Sequence, residues 1–262
     1  MMRESVDHLA MLKAGLASIA GDRLLSADRR VATGHEALDA ALGGGLAHGR
    51  VHELFAAEAD DGPSATGFAA MLALRTVGRQ APIFWLRTDE AEQRGGCIHG
   101  PGLIDLGGDP DALVLGQAPD GKALLRVAAD AARCRGLGVL IVEIHGKCPE
   151  LDLTAGRRLA LATEQSGATL LLLRIEAEPV PSAADTRWSV SSAPSQALEA
   201  NAPGAPTFDI ELLRRRSGPA GMRWRLEWNR DRLEFSEPTL PGAMVPLPPR
   251  RSIAANEFRL SA

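Results

Sequence analysis

An α/β fold is predicted: a mostly parallel central sheet flanked by helices, a leading N-terminal helix and a C-terminal antiparallel hairpin extension. Three observations predict it. Between Val51 and Arg174, short apolar runs alternate with segments of helical period, the pattern of parallel strands joined by crossover helices. Residues 139–144 form an apolar run suited to a strand covered on both faces. From Phe208 onward the apolar period drops to two, as in hairpins with one buried face.

Each element follows from local chemistry. Residues 5–20 place Leu9, Leu12, Leu16 and Ile19 at helical spacing, with Ser5 as cap and Gly21 as stop. A polar stretch, 22–30, sets this helix apart. A strand at 51–55 leads to a helix at 64–77, whose apolar face carries Phe68, Met71, Leu72 and Leu74. A strand at 82–86 precedes a charged, Gly-rich loop at 87–100. Strand 112–115, helix 122–134, strand 139–144, helix 154–165 and strand 169–174 complete the alternation. Segments 176–186 and 191–206, rich in Pro, Ala and Ser, read as loops around a short strand at 188–190. Strands at 208–213, 223–228 and 232–235 make the hairpins, with Trp224, Leu226 and Trp228 on one face. The expected division is an N-terminal helix and linker (1–30), a core (31–206), the hairpin region (207–237) and a Pro- and Arg-containing tail (238–262).

Bulk properties narrow the function. At 262 residues the chain can bury a large core, and its 45% hydrophobic and 24% charged residues are those of a soluble globular protein. A net charge of −4 gives no whole-molecule case for nucleic-acid binding. Cys97, Cys134 and Cys148 form no metal-binding spacing and read as reduced thiols. No apolar run reaches the length of a membrane span and no signal-peptide pattern opens the chain, so a cytoplasmic protein is expected.

Residues 49–67, GRVHELFAAEADDGPSATG, stand where a strand, a Gly-bearing loop and a helix start would form a phosphate cradle. A P-loop carries Lys and Ser/Thr directly after its last Gly. Here Gly62 is followed by Pro63 and Ser64, and Ala56 stands in place of the loop's first Gly. Proline offers neither an amide hydrogen nor a charge to phosphate. The only lysines are Lys13, Lys122 and Lys147, none in this loop. The loop is degenerate, and no nucleotide cofactor and no ATPase activity are expected.

The opening pattern TG-x-x-x-LD-x-x-LGGGL-x-x-GR-x-x-E, Thr33 to Glu53, resembles the start of the RecA/RadA recombinase core. Combined with the degenerate loop, the run Arg187-Trp-Ser-Val-Ser-Ser-Ala-Pro-Ser195 and an Arg-rich end, it is similar to the bacterial ImuA family over residues 31–251. Those are RecA-like proteins of SOS-induced mutagenesis. The resemblance implies a RecA-like core. It also implies a role in translesion DNA synthesis beside an ImuB-type, polymerase-like partner and an error-prone DNA polymerase, with RecA as a further contact. SulA-like inhibitors of cell division are distant relatives and the alternative reading, though the chain's length and Arg-rich extension weigh against it. A weakly active RecA-like ATPase or DNA-binding protein is the other alternative.

Asp89 and Glu90 lie near the position of a water-orienting carboxylate, but without a phosphate-binding Lys they read as surface charges. Glu143 ends a Walker B-like strand where the family has Asp; it is a vestige expected to pair with a neighbour and not to hold magnesium. His52 reads as a hydrogen-bonded core-edge residue. The six histidines show no metal spacing, so no catalytic residue and no metal site is assigned. The contact-rich region is C-terminal: from Asp209 to Arg251, nine arginines face six acids. Arg214, Arg215, Arg216, Arg223, Arg225, Arg250 and Arg251 are the candidate partner-binding residues, because the guanidinium fork pairs carboxylates at two points. A solvated hairpin rim is the bland alternative. Trp188 is expected to be buried in a strand closing the core. Direct contact with DNA is left open by the sequence.

Overall fold

The structure, a computed structural model, describes residues 29–78, 81–199, 202 and 204–238. The leading helix at 5–20 and the tail from 239, with Arg250 and Arg251, lie outside the described residues. Strand β1 (Arg30–Val31) is followed by α1 (Glu36–Leu42) and β2 (Leu46–Ala47), which pairs back on β1. Asp39 organises this entrance. Its Oδ1 accepts from the Thr33 amide at 2.7 Å and the Thr33 hydroxyl at 2.8 Å, and its Oδ2 accepts from the Gly34 amide at 3.1 Å. Gly34 sits at φ 102°, and a Cβ there would come within 2.6 Å of Glu234 Cβ and 2.7 Å of the Phe235 carbonyl. The TG…LD pattern is therefore a clasp between the chain's entrance and its last strand.

The main sheet continues with β3 (Val51–Ala56), α2 (Gly62–Val77), β4 (Ile83–Thr88), α3 (Asp89–Gly95), α4 (Gly100–Asp105) and β5 (Leu113–Ala118). Then come α5 (Gly121–Ala131), β6 (Val139–His145), α6 (Leu153–Ser166), β7 (Thr169–Ile175) and β8 (Thr186–Ser192). The described residues end with β9 (Thr207–Arg215), β10 (Arg223–Asn229) and β11 (Glu234–Ser236). Among the described residues the main sheet has nine strands, in the order β11-β10-β9-β8-β3-β7-β6-β4-β5. Strands β8, β3, β7, β6, β4 and β5 are mutually parallel, and β9, β10 and β11 are added antiparallel at one edge. This is the predicted α/β architecture with its hairpin extension.

Two apolar layers hold it. Helix α2 packs on one face with Leu54, Leu171, Leu173 and Trp188, and α5 and α6 cover the other with Leu140, Val142, Leu170 and Leu172. Helical starts are fixed by side-chain caps: Asp120 accepts from the Ala123 amide and Asp152 from the Ala155 amide, both at 2.7 Å. Phe68 of α2 meets Phe208 and Phe235 at ring-centroid distances of 5.6 and 5.2 Å, and Phe235 meets Trp228 at 4.9 Å. The antiparallel strands thus share a core with α2.

Three expectations are corrected. The stretch 87–100 is not a loop: Thr88 and His99 cap the short helices α3 and α4. The strand expected at 188–190 spans seven residues and lies parallel to β3, beside the centre of the sheet. Helix α2 starts at Gly62, ahead of Ser64, because Pro63 fits the first helical turn. Among the described residues no helix is long and apolar enough to cross a membrane.

Candidate functional site

The C-terminal ends of β3, β7 and β8 meet the N-terminus of α2, the kind of place where open α/β sheets hold their ligands. In this chain the link from β3 to α2 is short. After Ala56, the Ala57 amide donates to the Val190 carbonyl at 2.9 Å, and a single 3₁₀ turn, Ala59–Asp61, runs into the helix. Asp61 is buried, and its Oδ1 accepts from the Ser192 amide at 2.8 Å. The loop is thereby tied down to the end of β8. Gly62 is buried against Ile175: a Cβ there would stand 3.2 Å from Ile175 Cγ2. Pro63 is exposed and Ser64 half-buried. Glu58, Asp60 and Asp61 immediately precede the helix in sequence, so acidic residues and no lysine or arginine adjoin the positive end of its dipole.

Glu143 lies at the end of β6 and is 1% exposed. Three donors converge on it. Trp85 Nε1 donates to Oε2 at 2.9 Å, Arg87 Nη2 to Oε1 at 3.0 Å, and His145 Nε2 to Oε1 at 2.8 Å in the tautomer that this contact selects. Register places Arg87 directly beside Glu143, since β4 pairs with β6 in parallel. Arg87 also donates to the Gly96 carbonyl at 2.6 Å and the Ala91 carbonyl at 2.9 Å, and lies 3.3 Å from Glu92. A Cβ on Gly95 would come within 2.9 Å of Arg87 Nη2, so the end of α3 needs a glycine to close over the guanidinium. Buried carboxylates persist when paired and hydrogen-bonded in this way. Asp89 and Glu90 occupy the first turn of α3, and Glu90 pairs with Arg94 at 2.9 Å on the surface.

The arginines of the hairpin region are gathered by β9 and β10. Register puts Arg225 opposite Asp209 and Arg223 opposite Glu211. Arg225 makes two hydrogen bonds to Asp209, both 2.7 Å, which holds its proton more tightly than usual. Arg223 lies 2.8 Å from Glu211. Arg214 donates to the Ser182 carbonyl at 3.2 Å, and Arg216 stands 3.7 Å from Glu164. Arg215 donates to the carbonyls of Ala41 and Leu42 at 2.5 and 2.7 Å, satisfying the C-terminal end of α1. Arg216, Arg223 and Arg225 remain half exposed or more, so their outer faces are accessible on one edge of the sheet.

Beneath these features lie contacts that sequence reasoning misses. Arg187 Nε donates to Glu53 Oε2 at 2.6 Å, joining β8 to β3. Arg174, on β7, is 5% exposed, and its guanidinium lies 6.0 Å from the Phe55 ring centroid. An arginine inside the apolar run TLLLLRI is the signal that could have found it. His52 is enclosed: Nδ1 meets Thr186 Oγ1 at 2.7 Å, and Nε2 meets the Ala47 carbonyl at 2.8 Å. Burial drives its pKa down to about 4, against the raising effect of the Ala47 carbonyl. Trp188 is buried and donates to Thr186 Oγ1 at 2.7 Å. Among the described residues no group of three His, Cys, Asp or Glu is placed to hold a metal ion.

No protein-family model matches the chain. Protein ImuA from two strains of Caulobacter vibrioides is 31% identical over 203 residues, which covers 72% of this chain and 73% of the relative. The crystal structure of the RadB recombinase aligns with a TM-score of 0.53 at 14% identity, over 79% of this chain and 99% of that one. The second likeness shows the fold alone: the core is RecA-like.

Proposed function

The chain belongs to the ImuA family, and from that premise we propose that it is a non-catalytic, RecA-shaped accessory protein of DNA-damage-induced mutagenesis. It acts in translesion DNA synthesis as an adaptor. An ImuB-type, polymerase-like protein working with an error-prone DNA polymerase is its main partner, and RecA is a second contact. It works in the cytoplasm.

The observation that supports this reading is the state of the nucleotide end. Glu58, Asp60 and Asp61 immediately precede α2 in sequence, Asp61 is committed to the Ser192 amide, and Glu143 already accepts from three protein donors. A triphosphate brought there would meet repulsion in place of a lysine, and a magnesium ion would have to displace Arg87 from the carboxylate. What the fold retains is its outer surface. The half-exposed Arg216, Arg223 and Arg225 supply one edge suited to acidic partner surfaces.

Co-precipitation with the polymerase-like partner tests the reading, using the full chain and a chain ended after Pro238. The full chain is expected to capture the partner and the shortened one to lose most of that capture. Equal capture by both would remove the tail from the interface, and no capture by the full chain would overturn the adaptor role.

A further inference from the structure

On the sheet face covered by α6, a notch opens between the first turns of that helix and the segment leading into β8. Its polar lining comes from Arg174, Glu53, Asp152 and Ser182, and Val180 and Pro181 form an apolar lip. The notch is shallow and open to solvent on one side, its enclosed part having room for about one water. At its base lies an unbalanced charge cluster. Glu53 is paired with Arg187, which also donates to the Val180 carbonyl. Arg174 is nine-tenths buried, makes no hydrogen bond or ion pair among the described residues, and has its Nε without any acceptor. Arg187 thus holds the Glu53 carboxylate, and Arg174 feels it only at longer range.

A buried guanidinium without an acceptor is costly to leave in place, and an anion that reaches it recovers much of that cost. Burial also weakens Arg174's hold on its proton, an effect that Glu53 partly offsets. Nearby, the Ser182 hydroxyl accepts from the Ala184 amide at 3.2 Å, which leaves its own hydrogen to donate. Arg214 fixes this segment by donating to the Ser182 carbonyl.

We propose that the notch is a carboxylate-binding site, in which Arg174 and the Ser182 hydroxyl receive an acidic side chain of a protein partner. One guanidinium behind an apolar lip suits a single carboxylate carried between apolar residues. A nucleic-acid backbone fits less well, because its successive phosphates would face Asp152 at the mouth and the exposed Glu178 beside it, whereas a single carboxylate can meet Arg174 alone. The protein source of the carboxylate rests on the adaptor reading; the site itself is testable without any partner.

The test uses the full chain with ¹⁵N-labelled arginine, following the Arg174 Nε–Hε resonance. The probes are acetate, the capped tripeptide acetyl-Val-Asp-Leu-amide, its Asn counterpart, inorganic phosphate, and chloride at matched ionic strength. Acetate and the Asp peptide are expected to give saturable shifts, the peptide binding roughly tenfold tighter because its neighbours cover some 50 Å² of apolar lip. The Asn peptide and chloride are expected to give none. Arg174→Met is expected to remove the anion-dependent rise in Tm while melting no lower than the parent in chloride; Ser182→Ala is expected to weaken acetate binding several-fold. Should Arg174→Met not fold, Arg174→Lys serves, with the peptide's advantage over acetate reduced. Responses to acetate and chloride of equal size would overturn the site, as would an unchanged response in Arg174→Met. Saturation by phosphate but not by the Asp peptide would overturn the assignment to protein carboxylates. Peptide binding together with failed partner capture would keep the notch and discard the adaptor reading.

Discussion

Arg87 and Glu143 stand side by side on adjacent parallel strands, 3.0 Å apart, with side chains only 4% and 1% exposed. Their pairing turns the strand end that offers a carboxylate in RecA-like folds into a closed structural joint. Removing one partner strands the other charge. Arg87→Ala is expected to cost about 3–5 kcal/mol in urea unfolding. The double variant Arg87→Met/Glu143→Leu is expected to cost less than the sum of the single changes, by about 1 kcal/mol or more. Strict additivity would show that the two groups do not act as a pair.

His52 makes stability depend on pH. Its folded pKa, about 4, lies below the unfolded value near 6.5, so folding favours the neutral ring. The resulting stabilisation is fully present above pH 6.5 and is lost as pH falls toward 4, a change on the order of 3 kcal/mol. The contacts agree with a neutral ring that accepts at Nδ1 from Thr186 Oγ1 and donates from Nε2 to the Ala47 carbonyl. Urea midpoints measured between pH 7 and 4 are expected to flatten in His52→Asn relative to the parent. A parent curve that is already flat would contradict the assignment.

Phe235 is expected to behave as core despite its place in the last short strand. It is fully buried between Phe68 and Trp228. Phe235→Ala is expected to cost about 3–5 kcal/mol and to lower a single thermal transition as a whole. A separate early transition would show that the hairpin region melts independently of α2.

Arg223 and Arg225 separate stability from binding. Their pairs with Glu211 and Asp209 are exposed, so the double Arg→Ala variant is expected to leave the urea midpoint nearly unchanged. In partner co-precipitation it is expected to reduce capture severalfold. Undiminished capture would assign these residues to the sheet surface alone.

The alternation of strand and helix is legible because residues 139–144 and 169–174 carry strand-length apolar runs that only a doubly covered strand accommodates. Trp224, Leu226 and Trp228 announce the hairpin differently, by an apolar period of two. Helices α3 and α4 are not legible: with seven and six residues they bury little more than Ala91 and Leu103, leaving no apolar period to detect. At the nucleotide end, the missing lysine is read directly from Gly62-Pro63-Ser64. What replaces it is not. The contacts of Glu143 with Arg87 and of Asp61 with Ser192 join residues 56 and 131 positions apart, and only strand register brings them together. Arg174 is likewise a lone charge in sequence until β3, α6 and the segment before β8 enclose it.

Equilibrium titration of the purified chain with a fluorescent ATP analogue, with and without magnesium, bears most directly on the proposal that nucleotide chemistry is lost. No saturable binding is expected up to about 1 mM, a limit equivalent to roughly 4 kcal/mol of binding free energy. Magnesium-dependent binding in the micromolar range, abolished by Glu143→Gln, would show that the end of the sheet still works as a nucleotide site.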